Sequence, residues 1–395
     1  MNNMDKDFNI QQIENKILKR ISRQYQQKGN TPWVVTYSGG KDSTLVLHLI
    51  IKYLQSLKRY KRSVHVVCND TLVESPFVMT LARKYMKKFQ YFTKNTSIPI
   101  TFEITTPMHY DTFWVNIIGR GYPPPSRMFR WCTDRLKIKP TTNYIKRMVA
   151  RNGKVIMLLG SRFDESQQRT NSINKHLSDT NMFLSTHSTL ENCVIFMPVV
   201  DVSTDDLWEM IATFKTPWGD DYSDLIQLYI DAIGGECPVV LSKDDVPSCG
   251  NKSARFGCWT CTVVEKDKSL ESLELKNKNH YFRLLINFRN WLIYLASQNE
   301  NRYPFSRQGR VRKRNDGSII PGSFTLPVRK KIFKEIKKLE KQINQSLISD
   351  EELFVIKEEW KNASLLEELT KPHREQLDKE MSIILHKKVL DVIHA

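Results

Sequence analysis

The feature that most constrains this chain is a short strand running directly into a glycine-bearing sextet and then a helix. Trp33-Val34-Val35-Thr36-Tyr37 reads as a buried strand, Ser38-Gly39-Gly40-Lys41-Asp42-Ser43 follows without a spacer, and Leu45, Leu47, Leu49, Ile50 and Tyr53 mark a helix. Adjacent glycines let the main chain turn with no Cβ in the way. Consecutive amides can then point into one concavity at a helix N-terminus, a place that favours phosphate. Lys41 adds a cation, and Ser38 and Ser43 add hydroxyls. The spacing is not that of a Walker A loop, whose four-residue spacer is missing. A plain strand-to-helix turn is the bland alternative. Against it stands the position, the carboxyl end of a first strand, where open α/β sheets hold their ligands.

The pattern downstream supports such a sheet. Apolar strands are expected at Val64–Cys68, Ile98–Thr105, Val155–Leu159 and Cys193–Val200, with helices over 5–28, 76–92 and 135–150. Strands alternating with helices predict an α/β fold with a doubly wound, mainly parallel sheet over residues 1–235. A loop-rich cysteine segment follows at 236–265, then a basic, mostly helical region over 266–395.

Sixty Lys and Arg against forty-three Asp and Glu give a net charge of +17, which favours polyanionic partners. No apolar run approaches the ~18–20 residues a membrane span needs, and the first twenty residues are charged and amphipathic. The expectation is a cytoplasmic protein with no membrane partner. Seven cysteines in 395 residues do not form a disulfide framework; clustered in a reducing cell, they point to metal or redox chemistry.

The cluster is Cys249-x8-Cys258-x2-Cys261, with Cys132 remote in sequence. Four thiolates suit tetrahedral zinc or a [4Fe–4S] cluster, and spacing does not choose between them. A redox pair and inert buried thiols also stay open. Cys237 is a fifth candidate, as ligand, persulfide acceptor or buried thiol, whereas Cys68 and Cys193 read as buried strand residues.

The sextet after a first strand resembles the PP-loop ATP pyrophosphatases, which include phosphoadenosine-phosphosulfate reductases, tRNA thiolases and GMP synthetase. Arg130-Trp131-Cys132-Thr133 with Leu136, Lys137 and Pro140 looks like a motif of the reductase branch, as do Gly160-Ser161-Arg162 with Asp164-Glu165-Ser166, and Pro198–Asp201 with Asp206 and Trp208. The resemblance implies ATP cleavage to AMP and pyrophosphate. Ser38, Gly39, Gly40, Lys41, Asp42, Ser43, Gly160 and Arg162 would bind the nucleotide with Mg²⁺. Lys41, Asp42, Ser43 and Arg162 would act in catalysis, Arg162 facing the phosphates. The branch also implies a [4Fe–4S] cluster on Cys132, Cys249, Cys258 and Cys261.

Residues 160–169, 256–264, 320–326 and 347–352 further resemble the sulfurtransferases of bacterial DNA phosphorothioation. That resemblance implies replacement of a non-bridging DNA oxygen by sulfur. It implies DNA, a cysteine desulfurase as sulfur donor, and other phosphorothioation proteins as partners. Sulfonucleotide reduction, tRNA thiolation and a non-catalytic nucleotide-binding subunit are the competing readings. Arg302, Arg307, Arg310, Arg312, Lys313 and Arg314, with Tyr303 and Phe305 interleaved, could neutralise phosphates and stack on a base, and Arg329, Lys330, Lys331, Lys334, Lys337 and Lys338 follow on a helix; a plain solvated surface is the other reading of both segments.

Overall fold

The computed structural model describes residues 3–165, 189–232, 256–277, 280–307 and 310–363, with 170–171, 173–174, 177–178 and 181–187 between the first two stretches. Cys237, Cys249 and Ser166 lie outside the described residues.

Among the described residues seven strands make one sheet: β1 (Trp33–Tyr37), β2 (Val64–Asn69), β3 (Ile100–Thr105), β4 (Val155–Leu158), β5 (Leu177–Ser178), β6 (Asn181–Thr186) and β7 (Cys193–Phe196). Their order is β3-β2-β1-β4-β7-β6-β5. The first five are parallel, with Trp33 opposite both Val64 and Ile156. β6 runs antiparallel to β7 and β5 antiparallel to β6, an edge ribbon the periodicity does not announce. The fold is thus α/β with a mostly parallel sheet, as expected.

Helices cover both faces: α1 (Asn3–Tyr25), α2 (Lys41–Gln55), α3 (Pro76–Asn95), α4 (Lys139–Asn152), α5 (Thr204–Thr213) and α6 (Ser223–Ala232). Successive side chains of a strand point to opposite faces. Trp33, Val35 and Tyr37 accordingly enter the larger core with α1, α2, α3, α5 and α6, while Val34 packs with Tyr144, Ile145 and Met148 of α4. Being covered on both faces is why β1 is an unbroken apolar run rather than an alternating one.

The chain leaves β1 for β2 and β3 on one side and for β4 and β7 on the other. The crevice between the carboxyl ends of β1 and β4 is therefore the switch point of the sheet, where such folds bind ligands.

The chain forms two compact units. One holds Met1–Met108 and Pro125–Arg289, the other His109–Pro124 and Asn290–Ala395. This division by contacts falls elsewhere than the sequence boundaries at 235 and 265. The first unit also carries α7 (Lys268–Asn277), and α8 (His280–Ser297) contains the boundary.

The second unit is built on α9 (Leu326–Ile343) and a further helix, α10, over 350–363. Its inserted segment makes a π-turn at Val115–Gly119, and Arg329 reaches from α9 to the carbonyls of Gly119 (3.0 Å) and Phe324 (2.8 Å). The segment 320–326 pairs back on 301–305: Tyr303 donates to Ser323, and Gly322 donates to Tyr303. Gly322 lies so close to the Phe305 carbonyl that a Cβ would come within 1.7 Å of it, so only glycine fits. Ser349 and Glu352 exchange side-chain-to-amide bonds at 2.8 and 3.2 Å, a capping box that starts α10. Both family-like C-terminal blocks thus have a structural reason to exist. Among the described residues no helix is long and apolar enough to cross a membrane.

Candidate functional site

The sextet leaves β1 at Ser38 and enters α2 at Lys41. Gly39 has φ +75°, a left-handed conformation, and a Cβ there would meet the Ala82 Cβ at 2.6 Å. Both facts demand glycine. The two serines fix the turn. The Ser43 hydroxyl donates to the Gly40 carbonyl (3.0 Å) and accepts from the Ser38 amide (3.2 Å), and the Ser38 hydroxyl lies 3.1 Å from it.

Gly160, at the end of β4, closes the crevice from the other side. A Cβ there would sit 2.8 Å from the Asp42 carbonyl carbon, so the end of β4 meets the start of α2 main chain to main chain. Two residues on, Arg162 is 1% exposed. Its Nε donates to Asp42 (2.7 Å), Nη1 to the Val202 carbonyl (2.8 Å) and Nη2 to Thr204 (3.3 Å). The guanidinium is committed to protein acceptors. Arg162, expected to face the phosphates, here holds Asp42. Lys41 salt-bridges the same carboxylate at 2.9 Å. Burial alone would raise the Asp42 pKa, but Lys41 and then Arg162 hold it below the ordinary value, so Asp42 stays ionised.

Tyr229, on α6, enters the sextet unannounced by any sequence pattern. Its hydroxyl accepts from the Lys41 amide at 3.3 Å, and its ring lies under the Lys41 ammonium at 5.7 Å.

Cysteines gather beside the loop that follows β2. Cys132 stands at the start of a π-turn over Thr133–Ile138 that runs into α4, where uniform helix was expected from 135. Such turns recur at functional sites. Asn69, at the end of β2, fixes this turn by donating to the Leu136 carbonyl (2.8 Å). The Cys258–Cys261 segment docks alongside residues 73–75. Ser75 donates to Gly257 (3.1 Å), Trp259 donates to Val73 (3.0 Å), and Glu74 pairs with Cys258 as an antiparallel bridge. Arg289, 1% exposed, braces the far side by donating to the carbonyls of Cys261, Val264 and Glu265.

The thiols of Cys132, Cys258 and Cys261 are free, and they lie in one another's electrostatic field. Burial pushes the Cys258 thiol up to about 12, helped by Glu74 and opposed by Lys137 and by the Thr71 hydroxyl 3.4 Å away. Burial also raises Cys132, and Cys261 adds to the shift. Burial would lower the pKa of Lys137, but Cys258 and Glu74 raise it, and the Lys137 ammonium pairs with Glu74 at 3.1 Å. Among the described residues no three Cys, His, Asp or Glu side chains are grouped so that they could hold a metal ion. The three thiols are of the soft donor class that a [4Fe–4S] cluster takes, and the expected fourth, Cys249, is outside the described residues.

Cys68 and Cys193 are buried, their thiols raised to about 12 and about 11 by burial.

Two expectations for the basic region are corrected. Arg302 donates to the carbonyls of Pro321 and Gly322 (2.6 to 2.8 Å), and Arg329 is 5% exposed, so both serve the interior of their unit. Tyr303 is buried and stacked on Phe305 at 5.3 Å, and has no open face for a base on that side. Arg310, Arg312, Lys313 and Arg314 are exposed on a hairpin closed by Lys313 pairing with Ile319.

A parallel sheet with a glycine turn at its switch point defines a nucleotide-binding α/β domain. The signature of the phosphoadenosine phosphosulfate reductase domain family matches residues 32–264, more than half of the chain and inclusive of both the sextet and the cysteine pair. The protein belongs to that family, within the PP-loop superfamily. An uncharacterized protein of Methanocaldococcus jannaschii is 25% identical over 57% of this chain, and the chain spans only 39% of that relative's length. Among solved structures, the U34-tRNA thiolase NcsA from Methanococcus maripaludis, with its [4Fe-4S] cluster, is 12% identical, covers 72% of this chain and 80% of its own, and superposes with a TM-score of 0.32. Candida glabrata FMN adenylyltransferase in complex with ATP is 10% identical, covers 53% of this chain and 57% of its own, and has a TM-score of 0.31. Likeness at those scores carries no functional argument.

Proposed function

We propose that this protein is a DndC-type sulfurtransferase that uses ATP to activate a backbone phosphate of DNA for replacement of a non-bridging oxygen by sulfur. The observation that supports it most is that one compact unit holds both a glycine turn suited to phosphate and a set of soft thiols beside the loop after the next strand. ATP chemistry and sulfur chemistry would then share one edge of one sheet.

The residues divide the work. The amides of Gly39, Asp42 and Ser43 would bind the phosphate chain, while those of Ser38, Gly40 and Lys41 donate to Ser43, Ser38 and Tyr229 and keep the turn in shape. Attack of a DNA phosphate oxygen on the α-phosphorus joins two anions, so neutralising charge is the main catalytic requirement. Lys41, with Mg²⁺ accompanying ATP, would supply it, while Asp42 and Arg162 hold Lys41 and the loop in place. Pyrophosphate leaves, and the adenylated DNA phosphate carries AMP as its leaving group. The terminal sulfur of a persulfide, delivered by a cysteine desulfurase, would displace AMP, and two electrons from an external reductant would free the phosphorothioate. A [4Fe–4S] cluster held by Cys132, Cys249, Cys258 and Cys261 would supply redox or sulfur-carrying capacity at that step. The exposed hairpin at Arg310–Arg314 would track the DNA backbone, and the whole reaction belongs in the cytoplasm with the other phosphorothioation proteins.

The test is a single assay on anaerobically purified protein. ATP, a persulfide donor, a reductant and either DNA, tRNA or a sulfonucleotide are supplied, with pyrophosphate and the sulfur product measured. Phosphorothioate in digested DNA is the expected product. Thiolated tRNA or released sulfite would assign the protein to another branch, and no pyrophosphate with any substrate would make it a non-catalytic subunit.

A further inference from the structure

The Tyr229 phenol is the one polar side chain at the glycine turn that comes from a distant element and that neither the family motifs nor the sequence spacing singles out. Its ring is 7% exposed and held edge-on by two neighbours, Trp208 and Phe256, each with a centroid distance of 4.8 Å. That wedge fixes where the hydroxyl lies. It sits 3.3 Å from the Lys41 amide and would be 3.4 Å from a Cβ on Gly40, so it is at the mouth of the turn.

A phenol has one proton to donate and lone pairs to accept with. Here the oxygen accepts from the Lys41 N–H, so its own proton must point elsewhere. Among the described residues none accepts it. Burial raises the Tyr229 pKa far above the ordinary value, so the proton stays on at any physiological pH. A buried donor without an acceptor is costly. It becomes satisfied when an anion occupies the turn beside it.

Resting on the reading that the sextet binds ATP, we propose that the Tyr229 hydroxyl is a binding residue for the nucleotide, donating its proton to an oxygen of the phosphate chain. The same hydroxyl would order the first amide of α2 through the Lys41 bond, so one side chain both shapes the turn and contacts what the turn holds. Because Phe256 abuts the ring two residues before Cys258, the phenol is also packed directly against the cysteine segment.

Tyr229→Phe removes the hydroxyl and keeps the aromatic wedge, so the fold should survive, which thermal unfolding without ligand checks. Binding of ATP, inorganic tripolyphosphate and adenosine to the full chain is then measured by calorimetry, wild type against variant. A hydrogen bond to a charged group predicts a loss of about ten-fold or more for both phosphate ligands and none for adenosine. Unchanged or tighter ATP binding by the variant would overturn the inference; tighter binding would mean that the phenol plugs the turn and competes with phosphate. An equal loss for adenosine would also overturn it, as an effect on loop shape alone. If the wild type binds neither ATP nor tripolyphosphate, the reading of the sextet fails and this inference falls with it.

Discussion

The glycine turn and the thiol-bearing segments lie at the same edge of the same sheet, yet they are built by opposite means. The turn is six consecutive residues held mainly by bonds within that window, Ser38 to Ser43 and Ser43 to Gly40, with Arg162 and Tyr229 reaching in from outside. The thiols of Cys132, Cys258 and Cys261 come instead from the start of a π-turn and from the 256–265 segment, which long-range backbone pairing and one buried arginine hold beside the loop after β2. Main-chain amides that face a phosphate can be encoded contiguously. Side chains that must converge on one centre cannot, and they need the tertiary fold to bring them together. The two halves should therefore fail independently.

The largest effect is expected at Arg289. Replacing it by methionine keeps the bulk but leaves the carbonyls of Cys261, Val264 and Glu265 without their donor, at about 1–3 kcal/mol for each group left unsatisfied in the interior. Arg289→Met should lose most of its iron and inorganic sulfide on anaerobic purification while binding ATP as the wild type does. A parallel fall in ATP affinity would show that the two halves are not separable. Cys258→Ser sharpens the same comparison with less damage to the fold. It should remove the brown visible absorbance and leave nucleotide binding alone, and a variant with full colour and iron would exclude Cys258 as a ligand.

Gly39→Ala is the mirror experiment. Its φ of +75° and the 2.6 Å approach of Ala82 mean that a methyl group must strain the turn or push α3 away. Strain of that kind costs about 1–3 kcal/mol. ATP affinity should drop while iron content per chain stays at the wild-type value. Loss of iron in Gly39→Ala, measured by the same metal and sulfide counts, would again break the comparison.

How much of this was legible follows the same divide. The turn could be read because glycine placement after an apolar strand is a local demand, and Gly160 could be read for its place at the end of another strand. The pair Cys258 and Cys261 could be read because a two-residue spacer brings two sulfurs together by local geometry. Thr71, Glu74 and Arg289 could not be read, since nothing near them in sequence signals that they face a thiol or its carbonyls. The position of Asn69 to Thr71 at a strand's carboxyl end was the available clue. Tyr229 carried no signal beyond an apolar helical pattern. Arg302 and Arg329 were misread for a related reason: sequence gives a charge, and only the fold tells whether it meets solvent or a buried carbonyl.

The exposed hairpin tests the surface side of the proposal. Reversing Arg312, Lys313 and Arg314 to glutamate should weaken DNA binding, and the slope of log affinity against log salt should flatten by about 0.9 for each DNA phosphate no longer neutralised. Arg302, half-buried, and Arg329, buried, make a control pair because both donate to main-chain carbonyls: their loss should lower the thermal midpoint. An unchanged slope in the triple variant would return the hairpin to ordinary surface.

The smallest effect is a pH effect, and it belongs to the turn alone. Asp42 is held below its ordinary pKa because the Lys41 and Arg162 cations outweigh the cost of burial. A carboxylate whose folded pKa is depressed contributes stability that is fully present above the unfolded value, about 3.9, and is lost as pH falls through the folded value. Wild type and Asp42→Asn should therefore differ most in urea-unfolding free energy near neutrality, and the gap should close as pH falls below about 4. Asp201, held down in the same way by Arg20 against the cost of burial, should show the same acid-limb behaviour in an Asn variant. Its carboxylate is bonded to α1 and not to the sextet, so Asp201→Asn should leave ATP affinity unchanged where Asp42→Asn lowers it. If both variants lose ATP binding alike, the arginine-held carboxylate at the turn has no role beyond folding, and the positioning function assigned to Arg162 fails with it.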